Sequence, residues 1–237
     1  MAIPMNLQCQ ASGFDPKLLE RRLERYKPLH DWCSRLDPEL KVDKIEVQSV
    51  DYFGQRVGFL KFQAQASLRS RPDVRLPGVV FMRGGSVAIL VVLRVSEEDG
   101  TMRKIAYTVL TEQPRVPAGC SAFHEIPAGM VDDEGDIVGV AVRELAEETG
   151  ITINKGELIE LGDYWLSPGG SDETITLYAL ERTISSSDLE GLEGRLGGVG
   201  PHERITLRLS PLDRLWDSKD AKTVLALSLY ARLKGSL

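Results

Sequence analysis

Glu144, Glu147 and Glu148 stand at i, i+3 and i+4 in the run Arg143-Glu-Leu-Ala-Glu-Glu-Thr-Gly150. At about 100° per residue, a helix brings all three carboxylates to one side. Like charges at that spacing repel one another, and in the C-terminal half of a helix they oppose the macrodipole. Such a cluster asks for a cation. With no His or Cys in the stretch, an all-oxygen donor set favours a hard ion, Mg2+ or Mn2+, over zinc. A solvated acidic helix face is the ordinary fate of three such residues, so the surrounding pattern decides between the two.

The elements that must position these carboxylates lie on either side. Gly129 opens a loop that runs into a helix near Ile137, with Asp136 suited to the N-cap and Gly150 to the C-cap. Ile137, Ala141 and Leu145 repeat at helical spacing, so one face of that helix is core. Runs rich in β-branched and aromatic residues predict strands over 79–83, 86–95 and 104–112 before the helix, and over 158–166, 174–181 and 203–209 after it. An amphipathic helix over 218–233 closes the chain.

Towards the N-terminus, Asp15-Pro16 opens a helix that reaches about residue 36, which Pro28 kinks or splits. Two strands over 44–52 and 57–66 flank Phe53-Gly-Gln-Arg56, a hairpin signal. The polar, proline-containing stretch 69–78 is the expected boundary between a small unit, residues 1–77, and a main domain, residues 78–237. A hairpin and a helix are marginal alone, so the small unit is expected to pack on something larger.

Composition limits the partners. The 237 residues are 42% hydrophobic and 27% charged, ordinary for a globular chain with a sizeable core. A net charge of −6 leaves no broad basic surface for a nucleic-acid backbone. Cys9, Cys33 and Cys120 are odd in number and lack ligand spacing, which predicts reduced thiols. No uninterrupted apolar run reaches the roughly eighteen residues of a membrane span. The start of the chain has neither a secretory core nor a transit segment. His30, His124 and His202 show no triad or metal spacing.

Gly129 with Arg143, Glu144, Leu145, Glu147, Glu148, Gly150 and Ile151 resembles the Nudix box. One position departs from it: Gly135 occupies the slot of a further acid, between Glu134 and Asp136, which is expected to touch the loop and Arg143 more than the metal. The order of elements resembles the Nudix α/β/α sandwich with a mixed sheet, here preceded by a small N-terminal helix-plus-sheet unit. Glu112-Gln-Pro-Arg115, Glu125-Ile-Pro-Ala-Gly129 and Ser167-Pro-Gly-Gly-Ser-Asp-Glu173 are similar to the ADP-ribose and ADP-sugar pyrophosphatase group, and within it to the ADP-sugar diphosphatases of plant plastids.

The resemblance implies hydrolysis of an ADP-sugar such as ADP-glucose to AMP and sugar 1-phosphate. ADP-ribose or GDP-mannose are alternative substrates, and a non-catalytic nucleotide-sugar sensor is an alternative of a different class. It implies Mg2+ or Mn2+ held by Glu144, Glu147, Glu148 and the Ala128 carbonyl, with Glu147 and Glu148 essential to turnover. Arg115 and Gly129 meet the substrate, the fixed fork of the guanidinium suiting a phosphate. Glu173 is the implied general base, with Asp172 and Glu203 as rivals. The glycine-rich stretch 191–200 reads as a mobile lid. A homodimer is implied, its adenine pocket including Tyr52 or Phe53 of the N-terminal unit. Tyr164 and Trp165 can stack equally well, and all four are equally explicable as core. A plastid location is implied, the targeting peptide being absent from this chain; otherwise the location is cytoplasmic.

Overall fold

In a computed structural model, the structure describes residues 8–9, 16–131, 136–198 and 204–235. Glu134, Gly135, His202 and Glu203 lie outside the described residues, with the expectations that rest on them. The chain divides into two compact units, residues 1–85 with 165–174, and residues 86–164 with 175–237.

The first unit contains β1 (Gln8–Cys9), α1 (Pro16–Leu23), α2 (Lys27–Ser34), β2 (Leu40–Phe53), β3 (Arg56–Leu68), β4 (Arg71–Leu76) and β5 (Val79–Met82). The long N-terminal helix is indeed split. Pro28 falls in the first turn of α2, where its missing N–H would have had no helical partner. Leu19 and Leu23 of α1 and Leu29 of α2 meet Ile45, Val47, Leu60, Phe62 and Met82 of the sheet in one apolar cluster. The β2–β3 hairpin turns at Gly54, whose φ of 63° is the left-handed conformation that favours glycine.

Two segments behave differently from the sequence expectation. Residues 71–76, within the stretch expected to separate the units, pair with β3 as an edge strand. Residues 79–82, expected in the main domain, also pair with β3. The cause for β4 is its exposure along nearly its whole length, which leaves it none of the apolar alternation that marks a half-buried strand.

The second unit contains β6 (Gly85–Ser96), β7 (Tyr107–Arg115), β8 (Cys120–Glu125), β9 (Ala128–Met130), α3 (Ile137–Thr149), β10 (Leu158–Trp165), β11 (Thr174–Ser185), α4 (Ser186–Glu190), β12 (Leu196–Gly197), β13 (Ile205–Pro211) and α5 (Ala221–Leu233). Its large mixed sheet runs β10-β11-β6-β7-β13-β12, with β8 on β7 and β9 on β6. Val87, Ile89, Val91 and Leu93 of β6 share a cluster with Val140, Ala141 and Leu145 of α3. The intervening Ala88, Leu90 and Val92 are equally buried, so β6 is covered on both faces and reads as a continuous apolar run. Among the described residues, no helix is long and apolar enough to cross a membrane.

Candidate active site

The acidic residues sit on α3, whose ends are fixed by local chemistry. At its start, the Asp136 side chain accepts a hydrogen bond from Gly139 N at 2.9 Å. At its end Gly150, with φ 73°, returns its N–H to the Ala146 carbonyl. The stretch read as a mobile lid contributes to the same end: Gly198 N donates to the Glu147 carbonyl at 2.9 Å. A Cβ at Gly197 would lie 1.8 Å from the Glu148 carbonyl oxygen, so β12 passes the helix at backbone distance. The described part of that stretch therefore caps α3.

Strand β9 runs against the acidic side of α3. Ala128 N donates to Glu148 Oε2 at 3.0 Å. A Cβ at Gly129 would fall 2.0 Å from Glu144 Cδ and 2.4 Å from its Oε1, so only glycine leaves that carboxylate its place. Glu148 is buried, and burial pushes its carboxyl up to about 8, with the charges of Glu144 and Glu125 adding to the shift against the Ala128 amide. Glu147 is half-buried beside it. Among the described residues, no three His, Cys, Asp or Glu side chains are already gathered closely enough to hold an ion. The oxygen-only donor set, and a buried carboxylate strained by its acidic neighbours, nevertheless fit a hard divalent cation.

Arg115, at the end of β7, gives its Nε to Glu125 Oε1 at 2.6 Å. Glu125 is buried and takes a second cation, Lys222 of α5, on its other oxygen. Sequence reasoning missed this pair of neighbours. Glu125 carried a signal, three residues before Ala128 in the quoted motif, whereas Lys222 is 97 residues away and carried none.

The loop 166–173 belongs to the first unit, tied to β5. Phe81 N donates to the Gly170 carbonyl at 2.8 Å, and Arg83 N and Gly84 N both donate to Asp172 Oδ1, at 2.8 and 3.2 Å. Asp172 is buried and its Oδ2 has no hydrogen-bond partner, so burial raises its carboxyl despite the two amides. Glu173 is half-buried, with an Arg83 guanidinium nitrogen 3.5 Å from Oε2. Of the two rivals, Asp172 is engaged in holding the loop. Tyr52 packs beside the apolar cluster of its unit and carries Arg22 over its ring at 4.6 Å. Phe53 is 54% exposed. Trp165 is half exposed under Arg35, and Tyr164 turns its hydroxyl to the Leu161 carbonyl.

The chain is similar to known proteins in sequence and in fold. The profile of the NUDIX domain matches residues 84–225. The chain is 38% identical over 206 residues to Nudix hydrolase 14, chloroplastic, of Arabidopsis thaliana, covering 82% of this chain and 64% of that protein. It thus spans less than two thirds of that relative's length. It is 32% identical over 154 residues to the methanol dehydrogenase activator of Bacillus methanolicus, covering 59% of this chain and 78% of that one. In fold it is similar to the crystal structure of an ADP compounds hydrolase, with a TM-score of 0.58 at 18% identity over 86% of this chain and all of the other.

Proposed function

Because the chain belongs to the Nudix hydrolase family, we propose that it cleaves the diphosphate of an ADP-sugar, ADP-glucose in the first instance, giving AMP and sugar 1-phosphate. The observation that carries the reading is the buried Glu148, hydrogen-bonded to Ala128 N and crowded by the charges of Glu144 and Glu125 next to Arg115. That arrangement suits a cation and a diphosphate together. Nudix hydrolases generally use divalent metals. Glu144, Glu147, Glu148 and the Ala128 carbonyl would hold Mg2+ or Mn2+. When bound, the metal neutralises diphosphate charge and lowers the pKa of a water molecule.

The chain's own residues do the rest. Arg115 offers two parallel donors to phosphate oxygens and stays charged throughout. Gly129 keeps β9 close to Glu144, so the carboxylate needs little reorganisation when it is used. Glu173 accepts the proton of the attacking water, a role supported by the family resemblance of its loop, and Arg83 orients its carboxylate. The names of the Arabidopsis relative and of the structural neighbour support an ADP-linked substrate and a plastid setting. The active unit is a homodimer with Tyr52 or Phe53 near the base.

Turnover of ADP-glucose, ADP-ribose and GDP-mannose, each with Mg2+ and with chelator, tests the reading. ADP-glucose should give AMP fastest and only with metal. A preference for GDP-mannose would overturn the base assignment, and release of AMP undiminished by chelator would overturn the metal role.

A further inference from the structure

We propose that Lys222 is a positioning residue, which frees Arg115 for a phosphate by holding the buried Glu125 carboxylate when the guanidinium turns away. The inference rests on the diphosphate reading above.

Two cations and two carboxylates make up the group. Glu125 receives Arg115 Nε on one oxygen and Lys222 Nζ on the other. Lys222 also reaches Asp220 Oδ1 at 3.0 Å. The two cations differ in what they are able to do. The Arg115 side chain is 41% exposed, so it has water and room on its far side, whereas Lys222 is 12% exposed and enclosed. Arg115 is thus the partner that can leave, and Lys222 is the one that stays.

Lys222 is also held in place. Asp220 caps α5, its Oδ2 accepting from Thr223 N at 3.2 Å and Thr223 Oγ1 at 2.6 Å. Thr223 Oγ1 in turn accepts from Ile126 N at 3.2 Å, the residue next to Glu125. The start of α5 and the residue after β8 are therefore tied by a hydrogen bond, and the ammonium is placed against Glu125.

The consequence is a matter of charge. Glu125 is 5% exposed, and a carboxylate at that depth is strongly penalised if left alone. Without Lys222, Arg115 would be the one counter-ion left to Glu125 among the described residues, with Asp220 close by. A phosphate would then have to compete with a buried carboxylate for the guanidinium. With Lys222 present, Arg115 exchanges one anion for another while Glu125 keeps a cation, shared with Asp220.

The test is a set of variants in the full chain, with the Kd of ADP measured by calorimetry in saturating Mg2+. Lys222→Met should weaken ADP binding roughly tenfold, the size of a coupling between neighbouring charges. Lys222→Arg should recover most of that loss. In a Glu125→Gln background, where Arg115 has no carboxylate to serve, Lys222→Met should cost nothing further, and likewise in an Arg115→Met background. A loss that persists in both backgrounds would mark a merely structural lysine and overturn the proposal, as would Lys222→Met binding ADP like the wild type. A wild type that binds no ADP would remove the diphosphate reading itself. Binding by the wild type with additive variants would remove this inference alone.

Discussion

Gly129 and Glu144 are so close that a single added methyl at the glycine would meet the Glu144 Cδ at 2.0 Å. The clash is with the end of a side chain, so the backbone need not move; the carboxylate must. Gly129→Ala is therefore expected to fold, with a stability loss of about 1 kcal/mol, while kcat/KM falls roughly a hundredfold because a group used in the transition state is misplaced. Urea unfolding and ADP-glucose kinetics on the same sample check both halves. Unchanged kinetics would remove Glu144 from the working cluster.

Glu148 makes stability depend on pH in an unusual direction. Its folded carboxyl titrates near 8 against an ordinary 4.5, so between those values the folded, metal-free chain holds a proton that the unfolded chain has released. The stabilisation is complete below about 4.5 and is lost as pH rises towards 8, with a slope of at most about 1.4 kcal/mol per pH unit. Urea unfolding in chelator from pH 5.5 to 8 should show that fall. Glu148→Gln keeps an acceptor for Ala128 N, so it should flatten the slope, cost no stability and abolish turnover. A variant with the wild-type slope would mean that another group titrates.

How far these arrangements were legible depends on how local their causes are. The box helix was readable to its caps, because Asp136, Gly139, Ala146 and Gly150 satisfy one another within a turn. The split of the N-terminal helix was readable from Pro28 for the same reason. Strand β4 was not: it draws its hydrogen bonds from β3 and displays almost no buried side chain. The Glu125–Lys222 pair was not readable either, since nothing near residue 222 announces a partner on β8. The carboxylate spacing pointed to one side of α3, but only the structure shows that Glu148 is the buried one of the three.

Asp172 and Glu173 are adjacent yet make opposite predictions. Asp172 Oδ1 collects the amides of Arg83 and Gly84, so Asp172→Ala should destabilise the protein by about 1–3 kcal/mol through two unsatisfied donors. Glu173→Gln should leave stability within about 0.5 kcal/mol, the usual range away from buried networks, and cut kcat with little change in the Mg2+ concentration required. Thermal melts and a Mg2+ titration of the rate separate the two. A Glu173→Gln enzyme at full rate would return the base to Asp172 or Glu203.

The last expectation concerns the sheet of the first unit. Phe53 stands 54% exposed, edge-on to Phe59 at 5.1 Å between ring centres, and Phe59 leans on Phe81 at 5.3 Å. Tyr52, by contrast, lies beside the apolar cluster with Arg22 over its ring. The two neighbours offered as adenine contacts therefore differ: Phe53 has a surface to give, and Tyr52 has a core to lose. Phe53→Ser should raise KM for ADP-glucose by roughly tenfold, a stacking contribution of about 1–1.5 kcal/mol, with kcat nearly unchanged. Tyr52→Ser should instead lower the melting temperature. Because the aromatic serves a neighbouring copy in this reading, light scattering should find a dimer at micromolar concentration. A monomer with full turnover, or a Phe53→Ser enzyme with the wild-type KM, would leave the exposed rings without a role at the base.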